Sequence, residues 1–216
     1  MAVQATQGQR DDVRARLLVA AFDLFLEKDY NKVTTRLLAN RANTSAYMIQ
    51  YYFKDKQGLY NAMVKQQFSD IGKALESAYS EEEGLNFEKL FLSYLDIHNK
   101  NPKFPEFIIS IITYQNGPGY RLFSEILDRK REVIKNIIQR CQEKGQLSSH
   151  IDVDVIRVSM MSLSVFPFLI KGVLGQSEKM TLDNTLMLKI AKFSGGVLQH
   201  VTRPENDTIW KDLLNH

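Results

Sequence analysis

Three side chains between residues 47 and 51 are suited to reading the edges of DNA bases. On a helix, with about 100° between successive residues, Tyr47, Gln50 and Tyr51 share one face at positions i, i+3 and i+4. A glutamine amide can pair with adenine through two hydrogen bonds, and tyrosine hydroxyls can reach base edges or phosphates. The other face carries apolar residues that we expect to pack a small core: Ile49, Tyr52 and Phe53, with Ala46 beside them.

The positive charge of the chain is concentrated around this segment. Residues 1–60 contain nine Lys and Arg against six Asp and Glu, whereas the other 156 residues contain 19 of each. All of the net charge of +3 therefore lies in the N-terminal quarter. Arg36, Lys54 and Lys56 flank the tyrosine face, where phosphate contacts would set the affinity and its salt dependence. A modest basic patch is also common on solvated surfaces, so charge alone leaves both interpretations open.

Two short helices around a tight turn are needed to hold this face. The spacing predicts helices over about residues 35–42 and 45–52, the second capped by Ser45. The turn between them contains Asn43, a residue type that tolerates a left-handed backbone. This is the helix-turn-helix arrangement, in which the second helix enters the DNA major groove. Similar helix pairs occur in proteins that never contact DNA, and Tyr47 and Tyr51 could instead pack against a second domain.

The rest of the chain is predicted to be helical, without strand-length alternation or internal repeats. A first helix, capped by Asp11 and Asp12, runs to about residue 28, and a long fourth helix, capped by Asp55, runs to about residue 79. Residues 80–86 are predicted to form a loop. Further helices are expected at about 87–99, 106–115, 120–144, 152–174 and 181–201, with a short tail over 203–215. We predict an all-α fold with a three-helix helix-turn-helix DNA-binding domain at 1–54 and a helical ligand-binding and dimerisation bundle at 55–216.

Two segments resemble the tetracycline-repressor-like (TetR) family of bacterial transcription regulators. These are "AAFDLFLEKDY" at 20–30 and "TTRLLANRANTSAYMIQYYFKDKQGLY" at 34–60. The positions that match the family pattern are Thr34, Arg36, Leu38, Ala39, Ala42, Ser45, Ile49, Tyr52, Phe53, Lys56 and Leu59. The resemblance implies an N-terminal DNA-binding unit and a C-terminal helical domain that dimerises and binds a small effector.

The resemblance also implies roles for individual residues. Thr34 would cap the second helix and touch phosphate, Arg36 and Ser45 would approach the backbone or bases, and Lys56 would hold a phosphate beside the positive end of the fourth helix. The full predicted DNA-binding set is Thr34, Arg36, Thr44, Ser45, Ala46, Tyr47, Gln50, Tyr51, Lys54 and Lys56. Three positions depart from the family: Asn43 replaces the usual glycine, Tyr47 a small residue, and Gln50 a frequent aromatic. The operator of another member therefore does not transfer to this chain.

Two helices, at about 154–174 and 183–201, are apolar almost all round. Such helices require burial on two sides, which an intersubunit four-helix bundle would provide in a homodimer. Gly195 and Gly196 would allow close approach at this seam; a monomeric core is the alternative.

An unknown, mostly apolar effector is expected among the middle helices. Its candidate contacts are Phe91, Tyr94, His98, Phe107, Ile111, Tyr114, Met160, Met161 and Phe166, each of which could equally be ordinary core, His98 as a satisfied interior polar group.

Several other classes of protein find no support in the sequence. It has no serine-hydrolase, zinc-protease, P-loop or dinucleotide-binding motif, so we predict no enzyme. Its four histidines lack metal-ligand spacing, and we predict neither a metal nor a cofactor. The chain has one cysteine and no apolar N-terminal run, and its uncharged stretches are shorter than the ~20 residues of a membrane span. These features predict a cytoplasmic protein with no membrane role.

We predict a homodimeric, ligand-responsive regulator, a repressor released from a pseudo-palindromic double-stranded DNA operator by its effector. The alternative is a helical ligand- or protein-binding module with no DNA role.

Overall fold

The computed structural model describes residues 7–115, 117–177 and 182–214, and the predicted all-α architecture is confirmed. Its helices are α1 Gln7–Glu27, α2 Thr35–Arg41, α3 Ala46–Phe53, α4 Lys56–Gln67, α5 Ser69–Ala78, α6 Phe87–Lys100, α7 Phe104–Thr113, α8 Pro118–Glu143, α9 Val153–Ser177, α10 Asn184–Val201 and α11 Asp207–Leu214. Thr181, the predicted start of the tenth helix, and Asn215, the predicted end of the tail, lie outside the described residues.

The chain divides into two compact units. Unit 1 extends to Ser69 and includes Glu106–Ile126; unit 2 consists of Asp70–Pro105 and the chain from Leu127 onward. Both units are therefore assembled from separated segments of sequence. These units are defined by contacts between residues, whereas the predicted boundary between residues 54 and 55 separates two functions. That boundary stays a prediction.

The core of unit 1 joins α1, α2, α3 and α4. Leu17, Leu38, Ile49 and Leu59 are fully buried, and each comes from a different one of these four helices. Burying a leucine side chain contributes about 1.5–3 kcal/mol. The apolar stripes of these four helices thus fix the short α2 and α3, which are too short to be stable alone.

The start of the first helix and the length of the fourth differ from the predictions. α1 begins at Gln7, so Asp12 lies within the helix and pairs with Arg16 one turn later instead of capping it. The fourth helix is interrupted at Phe68, where the predicted single helix becomes α4 and α5. The Phe68 ring packs 5.1 Å from that of Phe123, and the Ser69 hydroxyl donates to the carbonyl of Gln66 at 2.8 Å. A serine hydroxyl that bonds a nearby carbonyl competes with the helical ladder.

Unit 2 is built on the packing of α6 against α10. A Cβ on Gly195 would lie 2.5 Å from the Cα of Glu88, so the two backbones touch at this glycine. The side chain of Gln199 accepts a hydrogen bond from the backbone N–H of Phe87 at 2.9 Å. The close approach that we had assigned to a dimer seam is, for Gly195, therefore made within the chain. A Cβ on the neighbouring Gly196 would meet none of the described residues within 4 Å.

The predicted loop at 80–86 contains a small antiparallel hairpin. Tyr79–Ser80 pairs with Gly84–Leu85, strands of two residues that are too short to show alternation in sequence. Gly84 adopts φ of +77°, which favours glycine. Glu81 anchors the hairpin to α8 through Lys144 and through Arg140, at 3.2 Å. The hydrogen bond from Lys144 is the main cause that lowers the pKa of the Glu81 carboxyl.

Apolar side chains remain exposed on α9 and α10. They are Val155, Val158, Met161, Leu163 and Phe166 on α9, and Leu188, Phe193 and Val197 on α10. Within the described residues, the stretch Val153–Lys171 is also long and apolar enough to cross a membrane by length and composition, with mean hydropathy 1.7, and only 17% of it is buried. This stretch is longer than the uncharged run of the sequence, which begins only after Arg157. In the structure the guanidinium of Arg157 is paired with Asp154, one turn earlier, at 3.0 Å.

Candidate nucleic-acid interface

Helix α3 presents the face predicted from its periodicity. Tyr47 and Tyr51 are 68% and 56% exposed, and Gln50 between them is exposed as well. On the opposite side, Ile49 and Phe53 are buried in unit 1. The predicted division of these five residues between an exposed and a buried face is confirmed, while the DNA-binding role of the exposed three stays a prediction. The buried pair fixes the rotation of the helix about its axis.

Two neighbours of this face depart from the prediction. Ala46, expected beside the core, is exposed, because it stands in the first turn where the chain enters α3. Tyr52 is half-buried, and its ring lies edge-on to that of Tyr51 at 4.8 Å. The rings of Tyr47 and Tyr51 are 6.4 Å apart. Tyr52 therefore forms one side of the exposed aromatic surface instead of a fully buried contact.

The turn between α2 and α3 has the geometry that the sequence requires. Asn43 adopts φ of +48°, the left-handed region that asparagine tolerates. The half-buried Thr44 donates its backbone N–H to the carbonyl of Ala39 at 2.9 Å, which closes the turn. Ser45 occupies the N-cap position of α3, yet its exposed side chain makes no capping hydrogen bond. Its hydroxyl is therefore available to an external partner.

Threonine and aspartate caps fix the helices on either side. Thr34 Oγ1 accepts a hydrogen bond from the N–H of Leu37 at 3.2 Å, so its predicted capping role is confirmed. Asp55 Oδ1 accepts from Gly58 at 2.7 Å at the start of α4. A Cβ on Gly58 would lie 1.9 Å from the carbonyl oxygen of Phe53, so a glycine is needed where α4 crosses the end of α3.

The cations of unit 1 fall into two groups. Arg41 forms two hydrogen bonds with Glu27, at 3.0 and 3.1 Å, and Arg16 donates to the carbonyl of Ala42 at 3.1 Å. By contrast, Arg36 and Lys54 are exposed, and across the described part of the chain their side chains form no hydrogen bond or ion pair. Arg36 and Lys54 could therefore bind phosphate without first breaking a contact within the described part of the chain.

Lys56, the third predicted phosphate contact, is half-buried and partly occupied. Its ammonium donates to the backbone carbonyls of Tyr30 at 3.0 Å and Val33 at 2.9 Å. An ammonium has three N–H donors, so one is left for an external acceptor. The residue therefore has a structural role that its sequence position did not reveal, while its phosphate role stays a prediction.

Arg14 is a residue that the sequence analysis missed. Its guanidinium lies 5.6 Å from the ring centroid of Phe53 at the end of α3, and the residue is exposed. A cation over an aromatic face is held by the ring quadrupole. Arg14 is thus placed beside the exposed face of α3, although it belongs to α1. Apart from its charge, the sequence around Arg14 did not indicate this position.

The predicted effector residues are not brought together at one place. Phe91 and Tyr94 line a small internal cavity of about 10 Å³ between α6, α9 and α10, and Met160 is buried in the same core. His98 is buried and stacks at 4.1 Å on Phe168, which also lines that cavity.

The other predicted effector residues lie elsewhere. Met161 and Phe166 are exposed on α9, because α9 turns these positions away from the core. Phe107, Ile111 and Tyr114 belong to unit 1. Ile111 and Tyr114 line a cleft of about 200 Å³ there, together with Tyr30 and Tyr60.

Comparison with known proteins agrees with this geometry. Residues 17–63 match the family model described as "Bacterial regulatory proteins, tetR family". The HTH-type transcriptional regulator YvkB of Bacillus subtilis is 43% identical over 61 residues, which cover 28% of this chain and about a third (32%) of YvkB. The HTH-type transcriptional regulator SrpR of Pseudomonas putida is 20% identical over 190 residues, or 86% of this chain and 84% of SrpR. A crystal structure of a tetR-family regulatory protein from Rhodococcus RHA1 superposes with a TM-score of 0.63 at 17% identity, covering 88% of this chain and 97% of that one.

Proposed function

Since the chain is a TetR-family transcriptional regulator, we propose that it acts as a homodimeric repressor. It would leave a pseudo-palindromic operator when a small, largely apolar effector binds. The observation that carries the DNA-binding part is the exposed face of α3, with Tyr47, Gln50 and Tyr51 turned to solvent over a buried Ile49 and Phe53. The rings of Tyr47, Tyr51 and Tyr52 adjoin one another, and a contiguous exposed aromatic patch is typical of an interaction site.

Gln50 and the tyrosines divide the reading of DNA between them. Gln50 lies on the exposed face beside Tyr47, where its amide can bond N6 and N7 of an adenine in the major groove. Tyr47 and Tyr51 lie one turn apart, with their rings 6.4 Å from each other, and can reach thymine methyl groups, base edges or phosphates. Because α3 is rotationally fixed by its buried residues, these side chains would enter the groove in one register.

Phosphate contacts would come from the ring of cations around this face. Arg36, Lys54 and Arg14 are exposed, and Lys56 has one donor left after its two internal hydrogen bonds. Thr34 and Ser45, at the N-caps of α2 and α3, place hydroxyls at the positive ends of those helices. Such contacts set affinity and salt dependence rather than sequence preference.

The exposed apolar surface of α9 and α10 is best covered by a second copy of the chain. Phe193 is 72% exposed at the middle of α10, and Gly196 lies one turn further along the same face. A glycine inside a helix costs about 1 kcal/mol relative to alanine, and none of the described residues lies within 4 Å of a Cβ built on Gly196. A partner helix that approaches closely would supply the reason, as in a four-helix bundle with two helices from each protomer.

Dimerisation would also supply the geometry of recognition. A two-fold axis through such a bundle presents two copies of α3, which fit half-sites about one helical turn of DNA, roughly 34 Å, apart.

The effector would shift the affinity for DNA only if it binds the DNA-competent and the released conformations with different strength. As a DNA-binding regulator the protein would work in the cytoplasm, where the bacterial chromosome lies.

Selection of binding sites from a random duplex pool tests this function. The full chain, at moderate salt, is expected to recover an inverted repeat with two half-sites. The Gln50→Ala variant should bind the recovered site on the order of 1–3 kcal/mol more weakly and bind random duplex unchanged. Equal losses on both DNAs would remove Gln50 from base readout.

A folded protein that recovers no motif, and whose weak binding to random duplex shows a shallow salt dependence, would favour the alternative of a helical binding module. Counterion release makes genuine DNA binding steeply salt-dependent. Effector dependence is tested separately, by repeating the selection with compounds that the protein has been shown to bind.

A further inference from the structure

The interior of unit 2 contains a polar group with no partner. His98, on α6, is 4% exposed, and its Nδ1 has no hydrogen-bond partner among the described residues. An imidazole nitrogen buried without a partner costs free energy comparable to a lost hydrogen bond. A group of this kind in an otherwise apolar interior needs a reason.

The orientation of the imidazole ring is fixed. The ring stacks on Phe168 at 4.1 Å between centroids and lies 5.6 Å from Phe104. Its other nitrogen donates to the backbone carbonyl of Ser164 on α9. The hydrogen bond made by one ring nitrogen determines the state of the other. Nδ1 is therefore left unprotonated, as an acceptor.

His98 lies directly behind the wall of the small cavity between α6, α9 and α10, so its Nδ1 becomes reachable only when that wall opens. Two of its contacts, Phe168 and Ser164, line that cavity, and so does Tyr94 one turn before it on α6. The remaining lining is apolar, and it includes no charged side chain: Phe91, Leu95, Leu163, Pro167, Met187, Ile190 and Ala191. Burial lowers the pKa of His98 to about 4 and raises the pKa of Tyr94, so both stay uncharged at neutral pH.

We propose that the effector of this chain is an uncharged molecule with an apolar body and a hydrogen-bond donor, which it gives to Nδ1 of His98. This inference rests on the proposed ligand-responsive function and specifies its chemistry. A carboxylate is excluded by the same observations, because it would lose its hydration without meeting a cation, and it has no donor for Nδ1. An alcohol, phenol or amide N–H meets both conditions.

The cavity must open to admit such a molecule, and α9 has a place to bend. Its space of about 10 Å³ is close to the volume of a single water probe. Pro167 lies within α9 at the cavity wall and has no N–H, so the carbonyl of Leu163 lacks its helical donor. A bend at this point therefore has one backbone hydrogen bond fewer to break than a bend elsewhere in the helix. A ligand that occupies only the opened form would shift the population toward it.

Two matched series of compounds test the proposal on the full chain without DNA. Each series keeps one apolar body and changes one group: octan-1-ol, its methyl ether and octanoate; and 4-propylphenol, its methyl ether and 4-propylbenzoate. Calorimetric titration should show the alcohol or phenol binding on the order of ten-fold or more tighter than its ether in at least one series, with the carboxylate weakest. The His98→Phe variant, which keeps the aromatic stack, should bind the donor compound and its ether equally.

A spectroscopic readout avoids reliance on the variant. In the wild type, the ¹⁵N resonance of His98 Nδ1 should move toward the protonated range on adding the donor compound and stay in place with the ether. Equal binding of donor and ether, tighter binding of a carboxylate, an unmoved Nδ1 resonance, or no binding in either series would overturn the proposal. Operator binding is measured separately by fluorescence anisotropy, so a protein that binds alcohols at His98 but no DNA would contradict the proposed function alone.

Discussion

Lys56 and Tyr30 are joined twice in the structure. The ammonium of Lys56 donates to the backbone carbonyl of Tyr30 at 3.0 Å and lies 4.1 Å from the centroid of its ring. Tyr30 is itself held by stacking on Phe25 and by an edge contact with Tyr60. The first residue of α4 is thereby tied to the turn that follows α1, so a proposed phosphate contact also maintains the domain that presents it.

Replacing Lys56 by methionine is therefore expected to change two properties, whereas Lys54→Met should change one. Both variants lose an ammonium, so both should weaken specific and random DNA alike and reduce the salt slope by about 1. Only Lys56→Met leaves the carbonyls of Tyr30 and Val33 without their donor, which should cost about 1–3 kcal/mol of unfolding free energy. Urea unfolding and DNA titrations over a range of salt concentrations measure the two effects. Unchanged stability in Lys56→Met would show that these hydrogen bonds contribute little.

The backbone of Lys54 leads to a second prediction. Lys54 ends α3 with φ of +73° and ψ of −46°, a conformation that costs a non-glycine residue about 1 kcal/mol or more. Lys54→Gly and Lys54→Ala remove the same charge, so both should weaken DNA binding equally. The free energy of unfolding of the glycine variant should be about 1 kcal/mol higher than that of the alanine variant, because glycine adopts positive φ freely. Equal stabilities would mean that the strain is relieved elsewhere in the turn.

The local pattern of the sequence was sufficient to predict most of the exposed face of α3. The period of α3, the Asp55 cap and the asparagine turn depend on residues close in the chain and are found as predicted, and so is the Thr34 cap that the family resemblance implied. Ser45 makes no capping hydrogen bond, and Ala46 and Tyr52 are more exposed than predicted. The second role of Lys56 was not predictable in this way, because its acceptors lie 23 and 26 residues earlier. Arg14 was missed for the same reason, since only packing brings it over Phe53.

Helix interruptions and the effector residues were harder to predict for a related reason. The break at Phe68 depends on a ring contact with Phe123, 55 positions away, and no proline or glycine marks it. For Met160 and Met161, adjacent in sequence, only the packing of α9 decides that one is buried and the other exposed. Apolar composition predicts that such a helix is covered on more than one side. It does not predict which side chains pack in the core of the chain and which stay exposed.

The proposed dimer seam can be tested with two valines of similar exposure. Val197 on α10 is 38% exposed, beside Phe193, and Val133 on α8 is 43% exposed outside that surface. Val197→Asp should dissociate the dimer, because a buried, unpaired carboxylate is strongly unfavourable at an interface. Val133→Asp, the matched control, should stay dimeric. Sedimentation velocity over a concentration series measures both, and a Val197→Asp dimer as tight as the wild type would place the seam elsewhere.

The buried imidazole of His98 predicts a loss of stability in mild acid. Its pKa in the folded chain is about 4, below the ordinary value of about 6.5. Between these values the unfolded chain binds a proton that the folded chain does not, so unfolding becomes easier as the pH falls from about 6.5 toward 4. The wild type should therefore lose about 2 kcal/mol more than His98→Phe between pH 7 and pH 5. Urea unfolding of both proteins at pH 7, 6 and 5 gives this difference directly, since the other histidines and the carboxylates are common to both. Parallel curves would show that the imidazole takes up a proton as readily in the folded chain as in the unfolded chain, so that burial does not hold it neutral in mild acid.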